Sequence, residues 1–208
     1  MSVAVPWVVG VAGGTGAGKS EVVQALVEHV GGVRLDLDSY YVDRGHLGPE
    51  ERGRVNYDEP AAVEIGLLLD HLGRLAAGQP VRKPRYSFQS HSRVGEEVVT
   101  PAALILVDGL FSLWWEELRG LLDVKVYVDA PADLRLARRI RRDVTERGRQ
   151  VESVLAQYLT TVRPMHERYV EPTKAHADLV VVNDGSLSDC VGQVEAAVRD
   201  CLGRMARR

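Results

Sequence analysis

Two kinds of apolar pattern alternate along this chain. Short, nearly continuous apolar runs occur at Trp7 to Val11 behind Pro6, at Ala102 to Val107 and at Val124 to Val128, as expected of strands buried on both faces. Val33 to Asp38 is a shorter strand in which apolar and polar residues alternate, and Asp178 to Val182 is a last one. Between them apolar residues recur at helical spacing. Glu21 to Val30 carries Val22, Val23, Leu26, Val27 and Val30, and Ala61 to Leu75 carries Val63, Leu67, Leu68, Leu72 and Leu75. Further helices are predicted over Phe111 to Arg119, from Ala130 onward with Pro131 in the first turn, over Val151 to Tyr169 with an interruption at Pro164, and over Leu187 to Met205. Arg44 to Asp58 reads as a loop or short helical excursion. Pro80 to Thr100, with Val81, Tyr86 and Phe88 set among polar residues, reads as a β-hairpin outside the main sheet.

Strand and helix in alternation predict a right-handed, layered α/β fold with a parallel sheet of about five strands. The 208 residues fit one domain, 1–208, with a hairpin insertion at about 80–100 and an arginine-rich lid at about 135–150. With 45% hydrophobic and 26% charged residues the composition is that of a soluble globular protein. No apolar run reaches the length of a membrane span and no stretch resembles a signal peptide, so no membrane partner and a cytoplasmic location are expected. A net charge of −3 argues against a nucleic-acid partner. Cys190 and Cys201 fall on one predicted helix roughly 16 Å apart, too far to bridge and without metal-ligand spacing.

Chemistry enters at GGTGAGKS, where Gly13 to Ser20 fits G-x-x-x-x-G-K-[ST] between a strand and a helix. Glycines 13, 14, 16 and 18 let the backbone aim N–H groups at phosphate oxygens at a helix N-terminus. Lys19 adds a point charge for the β and γ phosphates, and Ser20 a hydroxyl for Mg²⁺. The fold expectation sharpens to the P-loop NTPase type. Ligands of open parallel sheets bind beyond the strands' carboxyl ends, which places Asp38 near the phosphates held by this loop, with an Asx-turn or helix cap as its alternative role, and makes Asp108 a direct or water-mediated Mg²⁺ partner. Asp36 reads as structural. Seven arginines (135, 138, 139, 141, 142, 147 and 149) stand against Asp143 and Glu146 between Arg135 and Arg149. That excess fits guanidinium groups closing over polyphosphate.

Several stretches together resemble the uridine kinase (uridine-cytidine kinase) family: the glycine loop, LDLDSYY, EERGRVNYDEP, YSFQSHSR, LVDG, RDVTERGR, QYLTTVRPMHERYVEPTK and ADLVV. The resemblance covers most of the chain. It implies phosphoryl transfer from ATP, with Mg²⁺, to the 5′-hydroxyl of uridine or cytidine. By matching position it makes Asp38, Lys19 and Arg142 catalytic, and Ser20, Asp38 and Asp108 the metal group. It makes Gly13, Gly14, Thr15, Gly16, Ala17, Gly18, Lys19, Ser20, Arg147 and Arg149 the ATP site, and Tyr41, Asp58, Tyr86, His91, Arg139 and Gln157 the nucleoside site. A homo-oligomer, dimer or tetramer, is implied as well. Asp108 stands where the family usually has Glu, and Glu59 where it usually has His.

Two other readings stand beside it. A related kinase acting on pantothenate, glycerate or a sugar phosphate would use the same loop and arginines, but not Tyr86 and His91. A nucleotide switch without an acceptor has no need of a base at Asp38, and no N-K-x-D element follows a strand.

Overall fold

The structure, a computed structural model, describes residues 5–205. In chain order the elements are β1 (Trp7–Ala12), α1 (Lys19–Val30), β2 (Val33–Asp36), α2 (Pro49–Gly53), α3 (Ile65–Ala76), β3 (Val81–Ser87), β4 (Ser92–Val99), β5 (Leu104–Asp108), α4 (Glu116–Arg119), β6 (Val124–Asp129), α5 (Ala132–Thr145), α6 (Val151–Gln157), α7 (Arg163–Met165), β7 (Leu179–Val182) and α8 (Leu187–Met205). Five strands form one parallel sheet in the order β2-β5-β1-β6-β7, and β3 and β4 form a separate antiparallel pair. The expected P-loop-type α/β architecture is therefore present, hairpin included.

The apolar runs are explained by cover on both faces. In β5, Leu104 and Leu106 pack with α1 and α8 residues such as Leu26 and Val194, while Ile105 and Val107 join Leu68, Leu72 and Phe111 on the other face. Successive side chains of a strand point to opposite faces, so a strand covered on both sides has no polar positions to show.

Several predicted boundaries shift, each for a physical reason. β2 stops at Asp36, because the Asp36 carboxylate accepts from the Ser39 amide (3.0 Å) and caps a 3₁₀ turn over Leu37–Tyr40; Asp38 sits on that turn rather than at a strand end. The helix expected from Ala61 begins at Ile65, preceded by a 3₁₀ turn at Pro60–Ala62. The helix expected over Phe111 to Arg119 is reduced to α4. Phe111 and Leu113, two apart, are both buried, which one helical face cannot achieve, and residues 110–114 form turns. Pro164 does not break its helix. It falls in α7, flanked by π-helical segments at Tyr158–Val162 and His166–Val170 whose wider turns give the proline ring room.

The hairpin is fastened to the end of β2. Lys83, 6% exposed, places its ammonium 2.6 Å from Asp36 Oδ2 and 2.7 Å from Glu97 Oε1. Arg93 on β4 reaches Glu64 at 2.6 Å. Lys83→Met keeps most of the buried volume but leaves both carboxylates without their cation. Because these carboxylates are partly exposed, a loss of about 1–3 kcal/mol is expected in urea unfolding. An unchanged midpoint would mean that apolar packing alone holds the hairpin.

Candidate active site

Strand register assembles the centre of the site. Val11 of β1 pairs with Asp108 of β5, which pairs on its other side with Asp36 of β2. The glycine loop leaves β1 one residue later, so it starts beside two carboxylates, with Asp38 two residues past the end of β2. Gly13, Gly16 and Gly18 have φ of 143°, 74° and 96°. A Cβ on Gly13 would run into the Val128 carbonyl oxygen, and one on Gly16 into that of Arg135, so packing as well as backbone angle demands glycine there. The loop is tied down by Asn183 Nδ2, which donates to the Ala17 carbonyl (2.8 Å), and by Lys19 Nζ, which donates to the Gly14 carbonyl (2.9 Å).

This loop lies in a cleft of about 1970 Å³, several times the size of an ordinary small-molecule site and roomy enough for two substrates. Of the site residues predicted from sequence, Thr15, Gly16, Gly18, Lys19, Ser20, Asp38, Tyr41, Asp58, Tyr86, His91, Asp108, Arg139, Arg142, Arg147, Arg149 and Gln157 all line it. Gly13, Gly14 and Ala17 form the back of the loop, against Val128, Arg135 and Asn183. The arginine segment divides. Arg135 is a brace rather than a lining residue, packed on Gly14 and donating from Nε to the Ala130 carbonyl at 3.0 Å. Arg138 lines the cleft and donates to the Asn183 carbonyl at 3.1 Å. Arg135 thus stands behind the loop, apart from the arginines that line the cleft.

Burial sets the electrostatics. Desolvation lowers the Lys19 pKa, against the opposing pull of Asp108 and Asp38. The same effect, reinforced by the Asp36 and Asp108 charges, raises Asp38 to about 6. Ser20 Oγ donates to Asp108 Oδ2 at 3.0 Å, Arg34 Nη2 also pairs with that oxygen, and Asp108 Oδ1 is buried without a hydrogen-bond partner. Among the described residues no three His, Cys, Asp or Glu side chains converge closely enough to hold a metal ion alone.

At the other end of the cleft, Asp58 Oδ2 accepts from Thr161 Oγ1 (3.1 Å) and Gln157 Nε2 (3.4 Å), and burial raises its pKa. Gln157 Oε1 accepts from Arg139 Nη2 (3.0 Å) and Arg149 Nη1 (2.6 Å). Aromatic rings from three segments meet nearby. Tyr41 lies 5.2 Å from Tyr86 and 5.8 Å from Tyr57, and Tyr57 stacks on His91 at 4.6 Å and 16°. Arg147 covers the Phe88 ring at 4.2 Å. His91 has φ 48°, its Nδ1 is buried without a partner, and desolvation, then Arg52 and Arg149, lower its pKa.

Sequence reasoning missed Arg34, Tyr57, Phe88, Asp143, Thr161 and Asn183 as members of this group. Tyr57 and Phe88 adjoin residues that were chosen, and only their ring contacts distinguish them. Thr161 follows Gln157 by four, a helical spacing that puts both on one face.

An anion cradle at a helix N-terminus, set at the carboxyl edge of a parallel sheet with a crossover on each face, is the arrangement of the P-loop phosphotransferases. Within that class the chain belongs to the Phosphoribulokinase / Uridine kinase family, which it matches over residues 8–187. It is 46% identical over 201 residues to a uridine kinase of Geobacillus sp. (strain WCH70), covering 95% of each chain. It is 44% identical over 205 residues to a uridine kinase of Chloroflexus aggregans, covering 97% of this chain and 98% of that one. In fold it is similar to phosphoribulokinase from Rhodobacter spheroides, with a TM-score of 0.61 and 16% identity over 88% of this chain and 73% of the other.

The raised Asp38 pKa has a consequence for stability. Its folded value lies above the unfolded one, so the folded state binds the proton more tightly and loses stability as pH rises from about 4 to about 6. Asp38→Asn removes that loss. It should stabilise the protein by roughly 1–3 kcal/mol at pH 7.5 and leave stability near pH 3.5 unchanged, read from denaturant midpoints at the two pH values. Equal effects at both would mean that Asp38 ionises normally.

Proposed function

We propose that this protein transfers the γ-phosphoryl group of ATP to the 5′-hydroxyl of uridine or cytidine. The observation that carries this reading is the aromatic group of Tyr41, Tyr57, Tyr86, Phe88 and His91 opening on the same cleft as Asp38 and the glycine loop. A planar base offers faces to stack and an edge to hydrogen-bond, which a small hydroxy acid or sugar phosphate does not. Curated uridine kinases more than 40% identical over nearly the whole chain support the same substrate class.

In this reading the loop amides and Lys19 hold the β and γ phosphates, and Arg142, Arg147 and Arg149 meet the charge that spreads over the transferred group. Asp58, held by Thr161 and Gln157, accepts from the ribose hydroxyls, with Arg139 beside it. Asp38 takes the proton of the attacking 5′-hydroxyl as the new O–P bond forms and the bond to ADP breaks; a carboxyl with a pKa near 6 is ionised at neutral pH yet a better base than an exposed one. The family implies Mg²⁺, and the residues fit it: Ser20 and Asp108, whose Oδ1 lacks a partner, lie beside Asp38, and phosphate oxygens and water would complete the shell. When bound, the ion neutralises phosphate charge.

Nucleoside-dependent release of ADP, measured across uridine, cytidine, pantothenate, glycerate and sugar phosphates, tests the substrate class; release with the small acids and none with nucleosides would overturn it. Asp38→Asn should cut kcat by about 10²–10⁴ with ATP affinity nearly intact. Near-normal turnover would reduce Asp38 to a turn residue.

His91 supplies the edge contact. Its imidazole is neutral, so one nitrogen donates and the other accepts, and the tautomer can follow either the O4 of uracil or the N4 amino group of cytosine. His91→Phe keeps a stacking face and loses the pairing, a cost of about 1–3 kcal/mol. Nucleoside kcat/KM should fall accordingly while the KM for ATP stays put, and unchanged use of both nucleosides would remove the hairpin from the base site.

A further inference from the structure

Asp143 is fully buried, at 0% exposure, and has no place in the chemistry described above. With Arg135 and Arg139 it forms an i, i+4, i+8 stripe of charged residues along the inward face of α5, where apolar residues would ordinarily stand. Among the described residues, every hydrogen bond and ion pair of its carboxylate goes to a guanidinium group. Arg142 donates from Nε and Nη2 to Oδ1 at 3.0 and 2.9 Å, and Arg147 Nη1 lies 3.5 Å from the same oxygen. Arg149 Nη1 lies 3.4 Å from Oδ2, and Arg139 Nε 3.7 Å from it. The Asp143 carbonyl also accepts the Arg149 amide at 3.0 Å, which fixes the turn at Gly148.

The arginines on the two oxygens reach both ends of the cleft. Arg142 and Arg147 on Oδ1 line the cleft, Arg147 over the Phe88 ring. Arg139 and Arg149 on Oδ2 both donate to Gln157, which reaches Asp58 at the acceptor end, and Arg139 also donates from Nη1 to Thr15 Oγ1 of the glycine loop at 3.2 Å. One buried anion thus gathers four cations that would otherwise repel one another, and it neutralises only one of them. The remaining positive charge is directed to the cleft, where a polyphosphate would complete the balance.

We propose that Asp143 is a positioning residue for phosphoryl transfer: it gathers Arg139, Arg142, Arg147 and Arg149 into one cluster that spans the glycine loop and the acceptor side of the cleft. The inference rests on the proposed kinase reading for the identity of the two sides. It deepens that reading by giving the arginines a common organiser.

The test uses the full chain. Asp143→Asn keeps shape and removes charge, and should lower kcat at saturating ATP and uridine by at least 20-fold and weaken binding of a non-hydrolysable ATP analogue at least 5-fold. Asp143→Glu, which restores the charge at a longer reach, should recover part of both. On an Arg142→Ala, Arg149→Ala background the Asp143→Asn change should cost less than 3-fold, since the two arginines that hydrogen-bond its carboxylate are gone. Lower thermal stability in both Asp143 variants with kcat and analogue affinity unchanged would make Asp143 purely structural and overturn the proposal. So would a full, additive loss on the double-arginine background. A parent enzyme that releases no ADP with any nucleoside would instead sink the kinase reading, and analogue affinity in Asp143→Asn would then decide the positioning role alone, unchanged affinity overturning it.

Discussion

The site depends on one register. Because β1 is paired in parallel with β5 on one side and β6 on the other, its carboxyl end cannot shift by a residue without turning every side chain to the opposite face. That register sets Val11 against Asp108 and delivers Gly13 to the Val128 carbonyl at a distance only glycine tolerates. The phosphate end of the cleft is therefore built from backbone, held by a sheet that is buried on both faces. Its precision comes from the core, and little of it from the loop residues' own side chains.

A second constraint is electrostatic. Asp36, Asp38 and Asp108 converge beside the glycine loop and four arginines gather around Asp143, and burial makes both arrangements costly. Each cluster is made tolerable by residues of opposite sign. Lys83 and Arg34 serve the carboxylates, and Asp143 serves the arginines. Asp38 takes neither counter-ion directly, and it is the group whose pKa is pushed up. A carboxylate kept without a close partner is free to accept a proton, while Asp36 caps the turn and pairs with Lys83.

How far the sequence carried the reading follows from what each element depends on. The strands and the glycine loop could be read from it because local patterns encode them: apolar runs for cover on two faces, and glycines for left-handed angles. The turn at Leu37–Tyr40 could not, since it exists because Asp36 reaches back to cap it. Pro164 was read by its usual effect on an α-helix, and the π-helical turns that accommodate it leave no local signature. In the site, residues in contiguous motifs were found. Those that act through contacts distant in sequence, Thr161 on Asp58 or Asn183 on the loop, were not. Asp143 is the instructive case. Counted by charge it is a minor acid in a basic helix, and only its burial reveals that the arginines are arranged around it.

The two ends of the cleft are built on different principles, and this bears on specificity. The phosphate end uses main-chain amides from the sheet's centre, which can hardly vary without loss of the fold. The acceptor end is assembled from the 3₁₀ turn after β2, the segment around Asp58, the hairpin and the helix carrying Gln157 and Thr161, all outside the parallel sheet. A change of acceptor therefore needs new side chains on insertions, with the donor machinery left intact. The Gln157 bridge makes the two ends depend on each other nonetheless. It binds the arginine cluster through one side-chain atom and Asp58 through the other, so an acceptor that draws on Asp58 also pulls on the groups that face the phosphates.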